Sequence, residues 1–467
     1  MTARPPRRRA RRAAESAESG EPVGFDRRLV PPMVLGSILN PINSSMLAVA
    51  LIPIGRAFGQ PPSQTAWLVS GLYLATAVGQ PVIGRLVDAY GPRLLYLWGT
   101  ALVGLAGLVG VLAPNLWVLV VSRVLLGIGT SAAYPASMSV LRTESERTGA
   151  KSPTGVLTIL SASNQVIAVV GPTLGGLLIG AGGWHLIFAV NVPLAAACLL
   201  LGLRLPRGGT MPSGARTDVP GMVMFAVSLT AFVLFLMDPA VVRWYLPAIG
   251  AVLGVLFVRR ELAAAEPFID LRVLGGNVPL LATYARQLLA YTTAYAFLYG
   301  YSQWLQEGRG IDASQAGLLQ LPTAVAALGA TALTGRHARV RGKLAAGSLI
   351  QVGVCAALLL LTPDTPVWVL VLLAAGFGLP QGLNGLANQN ALYAQAEPAR
   401  MGASAGLLRT FMYLGALLSS AATAAFFEAG ATTAGLHDLA WLMTGVAALN
   451  LLFSLTDRSL ARIGRES

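Results

Sequence analysis

The stretch Gly84-Arg-Leu-Val-Asp88-Ala-Tyr-Gly91-Pro-Arg93 decides the fold, because it is a short polar loop between two long apolar runs and has a counterpart later in the chain. In that counterpart, Gly335-Arg-His-Ala-Arg339-Val-Arg-Gly342-Lys343, both glycines follow those of the first loop by 251 residues. A loop repeated in this way indicates a parallel duplication of a unit of about six helices. Such duplication is typical of transporters that bind their substrate between the two halves.

The composition places most of the chain in lipid. Of the 467 residues, 55% are apolar and 11% are charged, whereas soluble domains carry about 25% charged residues. This argues against a cytosolic enzyme, a secreted disulfide scaffold and a disordered chain. The net charge of +13 does not indicate nucleic-acid binding, because the basic residues lie in short segments between apolar runs. Two cysteines in apolar runs and three scattered histidines predict no disulfide framework, metal site or cofactor.

Fourteen apolar stretches approach the roughly 20 residues that a helix needs to cross a bilayer. They are 30–54, 65–87, 94–113, 116–140, 155–180, 184–203, 219–237, 244–258, 278–302, 313–334, 345–361, 367–390, 403–427 and 439–455. The eighth is the weakest, so fourteen is favoured and twelve stays open. We predict an all-α integral membrane protein of two pseudo-symmetric six-helix bundles with two additional central helices. The corresponding segments are a basic tail 1–29, bundles 30–203 and 277–455, a linker 204–276 and a tail 456–467.

The basic residues predict the topology independently. If the N-terminus is cytoplasmic, the outer loops carry only Arg56, Arg243 and Arg309, and three arginines lie inside spans. The other 27 of the 33 lysines and arginines fall in tails or inner loops. This asymmetry predicts that both termini are cytoplasmic.

Five motifs resemble those of the major facilitator superfamily, and within it the fourteen-helix drug/proton antiporter branch. The loop with Gly84, Asp88, Gly91 and Arg93 is similar to the superfamily signature. The fourth span has a buried arginine followed by glycine, Arg123 and Gly127. The fifth span resembles the antiporter motif and carries Gly171, Pro172, Gly175 and Gly176, with Ile167 where the motif usually opens with glycine. The stretches 183–193 and 267–272 resemble markers of the fourteen-helix branch.

The resemblance implies roles for these residues. Asp88 would latch the outward-facing state, with a surface charge that fixes topology as the alternative. The glycines and Pro172 would form a closely packed, bent fifth helix that favours exchange over leak, and simple helix packing explains them equally well.

Charged residues inside the spans predict the character of a central cavity. Arg123, Arg286 and Arg409 each lie roughly 12–13 Å into the bilayer by helix rise, and all 20 acidic residues fall in tails, loops or helix ends. The branch commonly has an aspartate in its first helix, where this chain has amides and hydroxyls. We therefore predict a positive cavity that suits an anionic or neutral polar substrate, with polar packing between helices as the alternative. The candidates besides Arg123 are Asn40, Asn43, Ser44, Asn164, Gln165, Arg286, Tyr291, Tyr295, Gln381, Asn384, Asn388 and Arg409.

The predicted function is secondary transport by alternating access in a bacterial cytoplasmic membrane. By resemblance, the activity is proton-driven export of an antibiotic, drug or small metabolite, as in multidrug efflux and antibiotic resistance. No ATP-binding loop is present, so the chain is not expected to use ATP itself. It also has no hydrolase elbow or metal-binding helix pair, so it is not expected to be an enzyme. A same-fold importer or uniporter of a small anion is the alternative, and a non-transporting receptor or scaffold is a remote one. The expected partners are the substrate, protons and the lipid bilayer, with no nucleic acid, and the protein is expected to be a monomer.

Overall fold

The computed structural model describes residues 25–148, 154–207, 218–237, 241–264, 267–269, 271–334, 340–396, 401–461 and 463. Across these ranges the chain is helical and forms no strand. The α-helices are α1 Val30–Leu47, α2 Leu51–Phe58, α3 Pro62–Tyr90, α4 Pro92–Val111, α5 Leu116–Thr130, α6 Ala133–Thr148, α7 Thr154–Gly182, α8 His185–Ala189, α9 Asn191–Gly202, α10 Val219–Met237, α11 Tyr245–Ala263, α12 Leu271–Gly275, α13 Val278–Ala296, α14 Ser302–Glu307, α15 Ala313–Thr334, α16 Val340–Ala357, α17 Val367–Gln395, α18 Met401–Phe426 and α19 Thr433–Thr456.

Ten helical segments within the described ranges are long and apolar enough to cross a bilayer, and the bent pair α1–α2 adds an eleventh if it is one span. The all-helical prediction is therefore confirmed for this part of the chain. The count of fourteen, with twelve as the alternative, stays a prediction.

Several predicted spans are interrupted rather than continuous. The first, 30–54, bends by 61° between α1 and α2. Pro53 lacks an N–H group, and its ring would clash with the carbonyl of Val49 in a continuous helix, so the chain breaks over Ala48–Ala50. The ninth span passes from α13 through a π-helical turn at Phe297–Tyr301 into α14, and so ends at Glu307 rather than at residue 302.

The helices pack as two groups that touch along two seams. In the first group, α1 packs on α7, α3 on α5 and α4 on α9. The second group repeats this arrangement with α13 on α18, α15 on α17 and α16 on α19. The seams between the groups are formed by α3 with α18 and by α7 with α15. Helices α10 and α11 pack on each other, and α10 contacts both helices of the first seam.

When broken helices such as α1–α2, α5–α6, α8–α9 and α13–α14 are each counted as one rod and the five-residue α12 is left out, successive rods alternate in direction. The start of α1 and the end of α19 then lie at one end of the molecule, which we call the terminal end. The other end, where α7 finishes and α15 begins, we call the opposite end. This division locates the cavity and its closure.

Candidate functional site

A cavity of about 380 Å³ lies between the two helix groups. Its wall is formed by α1, α3, α5, α6 and α7 on one side, and by α13, the π-helical turn, α15, α16, α17 and α18 on the other. The wall extends to Leu160, Thr331 and Leu392, which are within about two turns of helix ends on the terminal side. The cavity therefore extends from the middle of the molecule toward the terminal end.

Seven residues predicted to line a cavity do so. They are Asn40, Ser44, Tyr291, Tyr295, Gln381, Asn384 and Arg409. The structure places Asn43, Arg123, Arg286 and Asn388 outside the lining. The side chains of Asn164 and Gln165 lie outside the described part of the structure.

Several lining residues were not predicted from the sequence. They include Ser37, Gln80, Tyr134, Gln287, Gln320, Gln351 and Tyr413. The sequence held a signal for two of them. Gln287 directly follows Arg286, which was predicted to line the cavity, and Gln80 is a polar residue inside the apolar second span, 65–87. Single glutamines or tyrosines in apolar helices are otherwise ambiguous, because they also serve as interhelical hydrogen-bond donors.

Arg409 brings a positive charge to the cavity. It is the one Lys, Arg, Asp or Glu side chain in the described lining. Its guanidinium carbon lies 3.6 Å from the centre of the Tyr134 ring, across the two helix groups. A cation over an aromatic face is attracted by the ring quadrupole. This contact fixes the cation beside the space in which a substrate would bind.

Arg123 instead supports the first helix group. Its side chain is fully buried, and it donates from Nε to the Leu68 carbonyl at 3.4 Å and from Nη2 to the Asn43 carbonyl at 3.2 Å. It thus ties α5 to α1 and α3. Gly127, one turn later, permits close approach, because a Cβ there would lie 2.6 Å from the Leu72 carbonyl oxygen.

Arg286 is neutralised at the terminal end. Its Nη1 donates to Asp457 Oδ2 at 2.6 Å, and the arginine side chain is fully buried. Burial opposes ionisation of Asp457, but hydrogen bonds from Ser459 and Arg286 and the arginine's charge outweigh it, so the pKa of Asp457 is lowered. The predicted contribution of Arg286 to a positive cavity is therefore cancelled by an acid that follows the last helix.

The two remaining predicted amides are used in packing. Asn43 and Asn191 exchange hydrogen bonds at 2.6 and 2.8 Å, which joins α1 to α9. Asn388 donates to Gln287 at 3.1 Å between α17 and α13. These residues carry the interhelical role that was the alternative to cavity lining.

The tyrosines of α13 form an aromatic wall with two tyrosines of other helices. Tyr295 lies 5.1 Å from Tyr73 and 5.8 Å from Tyr291, between ring centres. Tyr73 is stacked at 5.7 Å on Tyr413, which belongs to the second group. The Tyr299 hydroxyl donates to the Ser44 carbonyl at 2.9 Å and so joins the groups behind the wall.

The antiporter-like glycines of α7 approach two helices. A Cβ at Gly175 would contact the backbone of Met46 in α1, and one at Gly176 would contact Ala313 and Ser314 at the start of α15. Ser314 donates to the Gly176 carbonyl at 2.8 Å, and Thr173 donates to the Gly317 carbonyl at 3.0 Å.

The other seam is closed at the same end. The Ser70 hydroxyl of α3 donates to the Ser420 hydroxyl of α18 at 3.0 Å, and Ser420 donates to the Ala66 carbonyl at 3.0 Å. Both seams are therefore closely packed at the opposite end, and the cavity is closed there.

The predicted latch lies at the terminal end, between α3 and α4. Gly91 has φ +94, a left-handed region that favours glycine, and it allows the sharp turn. Arg85, next to Gly84, donates to the carbonyl of Pro267. The Asp88 side chain lies outside the described part, as do Gly335 and Arg339 of the second loop. Arg93 is half-buried at the start of α4.

Comparison with known proteins agrees with this architecture. Residues 33–420 match the model of the Major Facilitator Superfamily. The uncharacterized MFS-type transporter YwoD of Bacillus subtilis is 30% identical over 440 residues, which cover 91% of this chain and 96% of YwoD. The methylenomycin A resistance protein of the same organism is 26% identical over 431 residues, covering 89% of this chain and 90% of that protein.

The fold is shared with solved structures. A chain from a study of substrate recognition in proton dependent oligopeptide transporters has a TM-score of 0.64 at 14% identity, covering 93% of this chain and 98% of that one. The family match, the full-length relatives and the cavity between two helix groups lead to one conclusion. This chain is an integral membrane transporter rather than an enzyme, and it belongs to the major facilitator superfamily.

Proposed function

We propose that this protein exports an antibiotic or another small metabolite, anionic or neutral and polar, across the bacterial cytoplasmic membrane in exchange for protons. The two six-helix bundles, 30–203 and 277–455, alternate access to the cavity between them, and fourteen helices cross the bilayer with both termini in the cytoplasm. The relative that confers methylenomycin A resistance supports an antibiotic as the substrate class.

The predicted charge of the substrate follows from one observation. Arg409 is the charged side chain of the described cavity lining, and no Asp or Glu of that lining balances it. An uncompensated guanidinium beside a largely apolar cavity attracts a carboxylate, phosphate or phenolate and repels a lipophilic cation. The aromatic wall of Tyr291, Tyr295 and Tyr413 adds a surface for planar groups.

The direction of opening supports the uptake of substrate from the cytoplasm. Both seams are closed at the opposite end, and the cavity extends toward the terminal end. The positive-inside bias assigns the terminal end to the cytoplasm. The structure then corresponds to the inward-facing state of an exporter.

The test is antibiotic susceptibility of a deletion strain that expresses wild type, Arg409→Lys or Arg409→Gln at equal membrane abundance. We expect wild type to protect against acidic or neutral compounds in a panel of acidic, neutral and basic antibiotics. Arg409→Lys should retain part of the protection, because it keeps the charge, and Arg409→Gln should lose most of it. Protection by wild type confined to lipophilic cations, or full protection by Arg409→Gln, would contradict the proposal.

A same-fold importer or uniporter is the second candidate, and the lack of a carboxyl proton carrier in the described cavity lining favours it. Inverted membrane vesicles distinguish the two. With an acidic interior, an exporter that exchanges for protons accumulates a protective compound from the panel, and dissipation of the pH gradient stops this. An importer or uniporter shows no gradient-dependent accumulation.

A further inference from the structure

Two carboxyl groups meet outside the cavity, at the terminal end of the additional helices. Asp218 directly precedes α10, and Glu261 lies in the last turn of α11. Asp218 Oδ2 and Glu261 Oε1 are buried and have no hydrogen-bond donor. Both atoms occupy the space that a Cβ on Gly221 would fill. Glu261 is 0% exposed, and the Asp218 side chain is 5% exposed.

The donors around the pair are already used by the other two oxygens. Asp218 Oδ1 accepts from the Gly221 N–H at 3.0 Å and from Arg260 at 2.9 and 2.7 Å. Glu261 Oε2 accepts from the Ile269 N–H at 2.7 Å. Two ionised oxygens that face each other in a buried place repel strongly, unless a proton or a cation lies between them.

The other charged groups nearby do not fill this place. Arg260 donates to Asp218 Oδ1 and not to either facing oxygen, Arg85 of α3 binds the Pro267 carbonyl, and Arg272 of α12 donates to the Leu262 carbonyl at 3.1 Å. Glu266 and Asp270 lie outside the described residues. Within the described ranges, no group of three or more acidic, His or Cys side chains could hold a metal ion. A proton needs no partners beyond the two facing oxygens, so it is the species that we assign to this place.

The two carboxyl groups differ in their tendency to hold that proton. Burial, together with the neighbouring Asp218, raises the pKa of Glu261 to about 7. Burial acts in the same sense on Asp218, but Arg260 and the Gly221 N–H outweigh it, so the pKa of Asp218 is lowered. Glu261 is thus the donor and Asp218 the acceptor of a shared proton.

The pair is linked to the transport helices through residues 267–269. Glu261 holds the Ile269 N–H, and Arg85 of α3 holds the neighbouring Pro267 carbonyl. Phe268, between them, is buried in a cluster with Met222 of α10 and Phe257 of α11, and Val82 of α3 packs on this cluster. The terminal end of α3 is therefore anchored to the additional helices at this point.

We infer that Asp218 and Glu261 form a proton-binding site that holds one proton between their carboxyl groups, and that its loss separates the start of α10 from the end of α11. Deprotonation leaves two adjacent buried negative charges, whose repulsion is relieved when Asp218 moves away from Glu261, while the ionised Glu261 keeps the Ile269 N–H. The cluster of Met222, Phe257 and Phe268, on which Val82 of α3 packs, then opens on the side of α10. This site is separate from the cavity, so its test needs no substrate.

Infrared titration of the purified full-length protein tests the shared proton. We expect a protonated-carboxyl stretch that disappears with a midpoint near pH 7 in wild type and is absent from Glu261→Gln. Glu428→Gln, an exposed acid at the opposite end, is the control and should retain the band. Asp218→Asn should lower the midpoint, because it removes the repelling charge. The inference fails if the band is unchanged in Glu261→Gln, or if no carboxyl titrates above about pH 6.

Thiol labelling tests the separation of α10 from α11. Met222→Cys, at a buried position near the start of α10, is placed in a chain in which Cys198 and Cys355 are replaced by alanine, and its maleimide labelling rate is measured with Glu261 and with Glu261→Gln. Dividing the rate with Glu261 by the rate with Glu261→Gln removes the thiol's own pH dependence. We expect this ratio to rise as the pH passes through about 7. A ratio that is independent of pH would show that the proton does not control the contact between the two helices.

Discussion

Arg286 and Asp457 form an ion pair of 2.6 Å between the first half of α13 and the residue that follows α19. The arginine is fully buried, while the side chain of the aspartate is 12% exposed. A buried guanidinium without its partner would be strongly unfavourable. The pair therefore joins the first and last helices of the second group at the terminal end.

Asp457→Asn should destabilise the protein by about 3–5 kcal/mol, because it leaves the Arg286 charge buried and unpaired. Thermal unfolding of the purified protein measures the change. The double variant Arg286→Gln with Asp457→Asn removes both charges and should recover most of the loss. A double variant that is no more stable than the single one would show that the pairing of charges is not the cause.

Acid should weaken the same contact. The pKa of Asp457 is lowered from 3.8 in the folded protein, so the stability from its ionised form is present above pH 3.8 and is lost as the pH falls through the lowered value. Stability measured against pH should decline below about pH 4 in wild type. Asp457→Asn should lack this component of the decline, and an identical decline in both proteins would contradict the assignment.

The ring beneath Arg409 should matter for substrate binding. Tyr134→Phe keeps the aromatic face, whereas Tyr134→Leu removes it. Cation–π contacts contribute about 0.5–2 kcal/mol, so Tyr134→Leu should raise the KM for an acidic substrate roughly 2- to 30-fold. Transport into inverted vesicles measures this, with Tyr134→Phe as the matched control. Equal KM values for the two variants would show that the ring face does not position Arg409.

Closure of the opposite end should depend on Gly317. A Cβ there would lie against the Pro172 carbonyl of α7, and overpacking of this kind costs about 1–3 kcal/mol. Gly317→Ala should slow transport. Cysteine cross-linking between α16 and α19 should be the same as in wild type, because the defect is confined to the seam between α7 and α15. Gly329→Ala, on the same helix with open space at its Cβ, should leave transport unchanged. A normal transport rate in Gly317→Ala would contradict the role of this close contact.

The reciprocal bond between Asn43 and Asn191 should behave as a unit. Asn43→Ala removes the donor to Oδ1 of buried Asn191, and an unsatisfied buried acceptor costs about 1–3 kcal/mol. Asn43→Ala combined with Asn191→Leu removes both polar groups and should be more stable than the single variant. Unfolding measurements on wild type, Asn43→Ala, Asn191→Leu and the double variant complete a double-mutant cycle, and additive losses would indicate that the two amides act independently.

The predicted cavity residues of α13 and α17 show how far helical spacing predicts a site. Tyr291, Tyr295, Gln381 and Asn384 line the cavity, because a residue's position on a helix face follows from its number. Tyr284 precedes Tyr291 by seven residues, about two helical turns, but its hydroxyl donates to the Ser404 carbonyl at 3.0 Å, outside the lining. Spacing gives the face of a helix, whereas the depth at which that face meets a cavity depends on the neighbouring helices.

The sequence by itself determined the membrane environment, the all-helical class and the duplicated loop, because hydropathy, charge distribution and repeats are properties of the chain alone. It also placed Arg123, Arg286 and Arg409 inside spans. Only the tertiary structure decided that Arg409 faces the cavity, that Arg123 binds backbone carbonyls and that Arg286 meets Asp457. The partners of a side chain come from segments that are remote in sequence, and their approach depends on how whole helices pack. For the same reason the sequence did not reveal Asp218 and Glu261 as one site, because they meet only where the start of α10 and the end of α11 come together beside Gly221.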